Sequence, residues 1–302
     1  MEKNKMKKIG FIGYGNIGNL IVNNILSLNL IKQEDMIISN RNLNKLNSLS
    51  ENYPNLTTTS NNELLAKESQ IIFICVETPD FKNVLIEIKT YLKGKTHLIH
   101  CSAGLSFEMI SNIYAGKISQ IIPTIISKSE IRLEKSDNVK LSYLNNEKKG
   151  VTLISHNANV DKEDKEFIED LFENFTNIKV FSVEELENER NLETATLLAS
   201  SSPALIASLI KQIAMVLNQY SSLKFNDLEN ILIKTIKASA IHLDEENLTI
   251  NELINKTATK GGITQVGLDY IEENNETMTN LFKELFEKYD DVKFKLNQEY
   301  LK

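Results

Sequence analysis

The sequence has no tryptophan and few cysteines, prolines or glycines: its 302 residues include 2 Cys, 4 Pro and 11 Gly. The two cysteines, Cys75 and Cys101, are too few for a disulfide scaffold, and both lie in apolar segments where a buried, reduced thiol is expected. The 4 histidines have no zinc-ligand spacing, so no metal site is predicted. No internal repeat or low-complexity tract interrupts the chain. The composition therefore predicts an ordinary globular protein.

The sequence also has no strong excess of acidic or basic residues and no long apolar segment. The net charge is −7, from 34 basic and 41 acidic residues without a basic block, so we predict no nucleic-acid partner. The longest apolar run, at 71–76, is far shorter than the roughly 20 residues of a membrane helix. The basic start is followed by an apolar stretch that is too short for a signal peptide and lacks a cleavage site. We therefore expect a cytoplasmic protein with no membrane partner.

Up to residue 183, short apolar runs alternate with amphipathic segments, which is typical of a doubly wound, mostly parallel sheet. Strands are predicted at 8–12, 36–40, 71–76, 97–102, 117–122, 151–155 and 178–183. Helices are predicted at 16–28, 81–92 and 161–175, and a capping box at 60–63 predicts a further short helix. The polar segment 127–150 is interpreted as an extended or hairpin-like insertion.

After residue 183 the pattern predicts helices only. They are expected at 184–199, from Ser202 with that residue as the cap, at 227–243, after a capping box at 249–252, and twice after Gly261-Gly262. The predicted fold class is α/β, with an N-terminal Rossmann dinucleotide-binding domain at 1–183. An all-helical domain for dimerisation and substrate binding is predicted at 184–302.

A glycine-rich turn gives the strongest local signal. Gly13, Gly15 and Gly18 form a Gly-x-Gly-x-x-Gly motif after the first strand, and Asn16 and Ile17 open the following helix. Gly13 permits a tight turn, Gly15 lets a pyrophosphate approach the backbone, and Gly18 allows close packing of helix on strand. The helix start offers unpaired N–H groups to phosphates. The alternative is an ordinary strand–turn–helix connection.

The second strand ends at Ser39, Asn40 and Arg41. A site specific for NAD usually has an acidic residue here, which would hold the ribose 2′-hydroxyl. A hydroxyl, an amide and a guanidinium suit a 2′-phosphate instead, so NADP is favoured over NAD. The alternative is that Arg41 is a solvated side chain at a strand end.

Six segments, taken in order, resemble the pyrroline-5-carboxylate reductase family. They are Gly10-Phe-Ile-Gly-Tyr-Gly-Asn-Ile-Gly18, Phe73-Ile-Cys-Val-Glu-Thr78, His100-Cys-Ser-Ala-Gly104, Ile121-Ile-Pro-Thr124, Ala199-Ser-Ser-Ser-Pro-Ala204 and Gly261-Gly-Ile-Thr264. Segments 36–41, 260–264 and 281–289 are similar in particular to the ComER branch of late-competence proteins.

The resemblance implies a Rossmann domain, a helical domain that forms a homodimer, and reduction of 1-pyrroline-5-carboxylate to proline by NAD(P)H. It places Cys75, Val76, Ser102 and Ala103 at the cofactor, and Ser201, Thr259, Gly261 and Gly262 at the substrate. Thr264 is the expected catalytic residue, since its hydroxyl could hydrogen-bond the ring nitrogen. Larger assemblies of dimers also occur on this fold. Alternatively, Thr264 caps the helix at 265–272, and 200–202 form a polar turn.

Several residues depart from the family pattern. Glu77 and Thr78 stand where the family has Lys-Pro, Thr124-Ile125-Ile126 where it has Asn-Thr-Pro, and Lys260 where it has Pro. These departures favour the alternative of a non-catalytic, NADP-binding regulatory paralogue. A third hypothesis, a 3-hydroxyacid dehydrogenase with Lys211 as its catalytic lysine, lacks the expected neighbouring asparagine.

Overall fold

The computed structural model describes residues 7–124, 148, 150–245 and 248–300. Packing divides these residues into two units. The first contains the described residues up to Ser200 together with those from Tyr289, and the second is Ser201–Lys288. The first unit is α/β and the second is all helical, so the predicted fold class is confirmed.

The first unit is built on one sheet of eight strands in the order β3-β2-β1-β4-β5-β6-β7-β8. The strands are β1 Ile9–Ile12, β2 Met36–Ser39, β3 Thr57–Thr59, β4 Ile71–Ile74, β5 His97–His100, β6 Lys117–Pro123, β7 Val151–His156 and β8 Asn177–Val180. All neighbours are parallel except β6 and β7. The chain leaves β1 towards β2 and later towards β4 on the other side, and this reversal of strand order creates a crevice at the carboxyl ends.

The central strands are buried on both faces, which explains their nearly continuous apolar sequences. Phe11 on β1 and Phe73 on β4 are both fully buried, and their rings stack with centroids 4.5 Å apart. Truncation of either ring to alanine would cost about 3–5 kcal/mol. The short strand β3 is only partly buried, and its run of threonines was missed because it carries no apolar alternation.

Thirteen α-helices lie in the described residues. They are α1 Asn16–Ser27, α2 Asn47–Asn52, α3 Asn62–Glu68, α4 Thr78–Ile88, α5 Phe107–Ser111, α6 Lys162–Glu173, α7 Val183–Glu187, α8 Glu189–Thr196, α9 Ser202–Leu217, α10 Phe225–Glu245, α11 Ile250–Thr257, α12 Ile263–Glu273 and α13 Glu276–Tyr300. The last turns of α13 belong to the first unit, where Leu296 and Tyr300 join a buried cluster with Leu105, Met109 and Ile110.

Three details of the helix prediction are wrong. The predicted box at 60–63 does not form, because Asn61 caps α3 by accepting a hydrogen bond from the Leu64 N–H at 2.9 Å. The segment 184–199 is not one helix, because Asn188 separates α7 from α8. The capping box of Thr249 and Glu252 does form.

The third error concerns the break expected at Ser202. A π-helical turn, Leu197–Ser201, joins α8 to α9 without interruption. Pro203 has no N–H, and its ring clashes with the carbonyl four residues earlier, so a regular α-helical turn is blocked. The wider π turn absorbs this conflict while the helix continues.

The packing units also differ from the predicted boundary at residue 184. Helices α7 and α8 belong to the first unit, whose packing includes the side chains of Leu186 and Leu192 beside buried Phe181. The division into a cofactor domain at 1–183 and a dimerisation domain at 184–302 therefore stays a functional prediction. The predicted insertion at 127–150, like Ile125 and Ile126, falls outside the described residues apart from positions 148 and 150.

One continuous helical stretch, Arg190–Leu217, is long and apolar enough to cross a membrane by length and composition alone. Only 6% of the most apolar 18-residue segment of this stretch is buried, and Leu209, Met215 and Val216 are exposed. Lys211 and small polar residues interrupt this stretch, so it contains no long unbroken apolar run. An exposed apolar surface of this kind marks contact with another protein or with lipid.

Two buried histidines belong to a chain of hydrogen-bonding side chains that crosses β5, β6 and β7. The His97 Nε2 atom lies 2.7 Å from the Ser119 hydroxyl, which lies 2.6 Å from His156 Nδ1. The His156 Nε2 atom lies 3.2 Å from a carboxylate oxygen of Glu169. Burial lowers the pKa of both histidines to about 4, so both rings are neutral in the folded protein at neutral pH.

Acidification is therefore expected to lower the free energy of unfolding. Both histidines have an ordinary pKa of 6.5 when unfolded, so stability is complete above that pH and is lost as the pH falls towards 4. Linkage sets the loss at up to about 3 kcal/mol per histidine. Burial raises the pKa of Glu169, which offsets part of this loss. Urea unfolding at pH 7 and pH 5 measures the effect. An equal pH dependence in His97→Gln would contradict it.

Candidate functional site

The glycine-rich turn has the geometry of a phosphate-binding loop. Gly13 adopts a φ of 97°, and a Cβ added there would lie 2.6 Å from the Cys75 carbonyl oxygen. A Cβ added to Gly18 would lie 2.1 Å from the Gly13 carbonyl oxygen, so close packing requires glycine at both positions. A Cβ added to Gly15 meets no atom within 4 Å. The backbone around Gly15, at the start of α1, therefore faces open space.

That open space is a cleft of about 650 Å³ at the carboxyl ends of β1, β2 and β4. Its lining includes seven of the residues assigned to the cofactor from sequence: Gly13, Gly15, Ser39, Asn40, Arg41, Cys75 and Val76. It lies where the strand order reverses, which is the usual ligand position in an open α/β sheet. Asn16, Ile17 and Gly18 do not line it; they form the first turn of α1.

The side chains that follow β2 differ in whether the protein itself engages them. The Asn40 side chain accepts a hydrogen bond from the Tyr14 N–H at 3.1 Å and donates one to the Asn42 carbonyl at 2.8 Å. Asn40 therefore fixes the turn and has little left to offer a ligand. Arg41 and Lys45 are exposed, line the cleft, and provide two cations at one end of it.

The cleft also has an acidic wall. Glu77, Asp80 and Glu87 line it from the start and the outer face of α4. The Ser39 hydroxyl donates a hydrogen bond to the Asn62 side-chain oxygen at 2.7 Å, and Asn62 donates to Glu87 at 3.0 Å. Ser39 is thus engaged within the protein. No motif in the sequence marks Lys45, Asn62 or Glu87 as a residue of this cleft, although Lys45 lies only four positions after Arg41.

The loop after β5 carries Ser102 and Ala103, and two hydrogen bonds, one buried and one partly buried, hold it in place. The Gln120 side chain donates to the Ser102 carbonyl at 2.8 Å, and the Tyr289 hydroxyl donates to the Ala103 carbonyl at 2.6 Å. Neither Ser102 nor Ala103 lines the large cleft. Ala103 and Tyr289 instead line a second cavity of about 160 Å³.

Removing the Tyr289 hydroxyl is expected to destabilise the protein. Burial raises the pKa of Tyr289 to about 12, and loss of its hydrogen bond in Tyr289→Phe would cost about 1 kcal/mol. Tyr300→Phe is the matched control, since the buried Tyr300 hydroxyl has no partner among the described residues. Urea unfolding should therefore separate the two variants. Equal losses of stability would contradict the assigned role of Tyr289.

The residues assigned to the substrate lie in the second unit. Three of them, Thr259, Gly261 and Gly262, form the turn between α11 and α12. Gly261 has a φ of 75°, and the Gly262 N–H donates to the Thr259 carbonyl at 2.8 Å. The residue that caps α12 is Gly262, which offers no side chain. Thr264 lies exposed in the first turn of α12, so the alternative that it caps the helix is wrong. Ser201 is the last residue of the π turn.

Comparison with known proteins identifies the relatives of both halves of the chain. A family model described as NADP oxidoreductase coenzyme F420-dependent matches residues 8–104, and one described as Pyrroline-5-carboxylate reductase dimerisation matches residues 189–291. A pyrroline-5-carboxylate reductase of Methanobrevibacter smithii is 37% identical over 88% of this chain and 97% of its own length.

Two further comparisons concern the branch and the fold. ComE operon protein 4 of Bacillus subtilis is 23% identical over 94% of this chain and 96% of its own length. Similarity to the ComER branch is therefore present but weaker than similarity to the archaeal reductase. A structure of Plasmodium falciparum pyrroline carboxylate reductase with NADP bound aligns with a TM-score of 0.71 at 23% identity, covering 96% of this chain and 97% of the other.

Proposed function

The chain is an NAD(P)-dependent oxidoreductase that belongs to the pyrroline-5-carboxylate reductase family, and we propose that it reduces 1-pyrroline-5-carboxylate to L-proline with NADPH. The observation that carries the proposal is the open backbone at Gly15, facing a cleft with two cations at one end. Family membership leaves the hypothesis of a 3-hydroxyacid dehydrogenase without support.

The chemistry asks the protein mainly to bind and orient. NADPH supplies the hydride when it is bound, and a protonated cyclic imine is already a good electrophile. The hydroxyl of Thr264 is assigned to the ring nitrogen. The unpaired N–H groups at the start of α12 suit a carboxylate. The N-cap residue, Gly262, has no side chain that could accept hydrogen bonds from them. Thr259 and Ser201 are assigned to the rest of the substrate.

NADP is preferred to NAD in this proposal because of the charges that follow β2. Arg41 and Lys45 both line the cleft, and neither forms an ion pair with another described residue. A guanidinium can bind a 2′-phosphate through two parallel hydrogen bonds, and an ammonium adds a second charge. Ser39 and Asn40 hold the segment after β2 in place through their hydrogen bonds, and Cys75 and Val76 line the same cleft from the end of β4.

Arg41→Ala is expected to weaken NADPH binding while leaving NADH binding unchanged. Hydrogen bonds to charged groups are worth about 1.5–3 kcal/mol, so the dissociation constant for NADPH should rise about tenfold to a hundredfold. Lys45→Ala should act in the same direction. Lys89→Ala, an exposed lysine outside the cleft, is the control. Titration of nucleotide fluorescence measures all three, and equal losses for NADPH and NADH would contradict the preference.

A homodimer through the helical unit is part of the proposal. Leu209, Met215 and Val216 on α9 expose apolar side chains, and they fall within the segment that matches the dimerisation model. A second copy, rather than lipid, is expected to cover this surface. Sedimentation should give a dimer or an assembly of dimers in the absence of detergent.

A paralogue that binds NADP without turnover is the second candidate function. The specific observation in its favour is the acidic wall, since Glu77 replaces a family lysine beside a ligand that carries several phosphates. Such a charge reversal would weaken binding of the cofactor or displace it from a productive position. Lys260, which is exposed in the turn assigned to the substrate, is a further departure within the described residues.

NADPH oxidation followed at 340 nm separates the two candidates. The purified protein is mixed with 1-pyrroline-5-carboxylate, with NADH in place of NADPH as the control. Rapid, substrate-dependent oxidation of NADPH is expected. Tight NADPH binding without oxidation would refute the reductase and leave the regulatory paralogue.

A further inference from the structure

The only two cysteines of the sequence face each other at the carboxyl ends of neighbouring strands. The Cys75 and Cys101 sulfur atoms lie 3.6 Å apart, and both thiols are free. Their preceding residues, Ile74 and His100, are direct partners across β4 and β5. Neighbouring strands in a sheet lie about 4.8 Å apart, and a disulfide spans Cα separations of roughly 4.4–6.8 Å, so this register suits a disulfide. Bond formation therefore requires rotation of the two side chains and little movement of the strands.

We propose that Cys75 and Cys101 form a reversible disulfide when a hydroperoxide oxidises them, and that this disulfide weakens dinucleotide binding. The second half rests on the proposed function, because that function assigns NADPH to the cleft which Cys75 lines. The two thiols are thus a modification site placed directly beneath the cofactor.

Access decides the order of the two steps. Cys75 is the more buried residue of the two, but it lines the open cleft and Cys101 does not. The Cys75 sulfur therefore attacks the peroxide first and becomes a sulfenic acid, and the other half of the peroxide leaves as water from hydrogen peroxide or as an alcohol from an organic hydroperoxide. The hydrogen bond to Cys75, together with burial, raises the pKa of the Cys101 thiol, so Cys101 reacts second. Its sulfur attacks the Cys75 sulfur, and the hydroxyl leaves with the Cys101 proton as water. Two thiols lose two electrons in total, and one peroxide gains them.

The link to the cofactor runs through backbone contacts. The Gly13 turn packs so tightly against Cys75 that an added Cβ would lie 2.6 Å from its carbonyl oxygen. Cys101 directly precedes Ser102, whose carbonyl is tied to Gln120. A bond between the sulfurs shortens their separation from 3.6 Å to about 2.0 Å. The Cys75 side chain packs against the first turn of α1, where a Cβ added to Gly18 would lie 3.3 Å from the Cys75 Cβ. Rotation of this side chain into the disulfide therefore changes the packing next to the glycine-rich turn.

The experiment treats the full-length protein with hydrogen peroxide, which is then removed with catalase. Free thiols are counted with a chromogenic disulfide, intact mass is measured, and NADPH affinity is determined by fluorescence. We expect loss of both thiols within one chain, loss of two hydrogens in mass, and a rise of about tenfold in the NADPH dissociation constant. Dithiothreitol should reverse all three changes. By reciprocity, saturating NADPH should make the disulfide easier to reduce by the same factor.

Cys101→Ser is the matched variant. It retains Cys75, so peroxide should produce a sulfenic acid that dimedone traps, and no disulfide. Retention of both thiols in the unmodified protein, a sulfinic acid in place of the disulfide, or a bond between two chains would overturn the proposal. An intact disulfide with unchanged NADPH affinity would overturn its second half. If the reduced protein binds no NADPH at all, the proposed function fails, while the thiol count still decides whether the disulfide forms.

Discussion

Gly15→Ala is expected to remove NADPH binding while the protein stays folded. Gly18→Ala, in contrast, should remove NADPH binding and also destabilise the fold. Gly15 has an ordinary φ of −83°, and an added Cβ meets no protein atom within 4 Å. Gly15 is the N-cap of α1, a position at which glycine is favoured over alanine, so this change costs about 1 kcal/mol and leaves the protein folded. The added methyl group would nevertheless occupy the space in which the pyrophosphate must approach the backbone.

Gly18→Ala differs because its Cβ would lie 2.1 Å from the Gly13 carbonyl oxygen. The helix must move away from the turn, and overpacking of this severity costs about 3 kcal/mol or more. Urea unfolding and NADPH fluorescence, measured on both variants, form a two-by-two test. NADPH binding by Gly15→Ala at the affinity of the unmodified protein would show that the turn does not hold the dinucleotide.

Thr264→Val should lower turnover by about a hundredfold or more, because loss of a positioned proton donor or hydrogen bond at the reacting nitrogen typically costs this much. Valine keeps the shape of threonine and removes only the hydroxyl. The side chain is exposed and does not cap α12, so folding stability and NADPH affinity should stay unchanged.

Two companion variants make the Thr264 test specific. Thr264→Ser restores a hydroxyl and should recover most of the turnover. Thr257→Val is the second companion. Thr257, like Thr259, precedes the Gly261-Gly262 turn, but its hydroxyl donates a hydrogen bond to the Leu253 carbonyl within α11. Loss of this hydroxyl should therefore affect stability and not turnover. Full activity in Thr264→Val would remove Thr264 from the mechanism.

The features that were predictable from sequence are those set by local constraints. Gly13 and Gly18 are required by a backbone angle and by close contacts inside one turn, and this constraint is visible in the spacing of three glycines. The continuous apolar runs of the buried strands likewise reveal a sheet covered on both faces. The open position at Gly15 follows from the same motif.

The features that were missed depend on tertiary contacts. Asn62 and Glu87 enter the site because α3 and α4 meet beside the end of β2, and no local pattern marks this meeting. The contact between Cys75 and Cys101 depends on the register of β4 against β5. The role of Tyr289 depends on a helix that returns from the other end of the chain.

The return of α13 has a consequence for how the protein is made. Leu296 and Tyr300 complete the buried cluster that contains Leu105 and Met109, yet a ribosome synthesises them after the whole second unit. At about 5–20 residues per second, the nucleotide-binding half waits several seconds with this cluster incomplete. A nascent chain that is stalled or truncated before residue 289 therefore displays an unfilled apolar surface, which is the kind of surface that chaperones and proteases recognise.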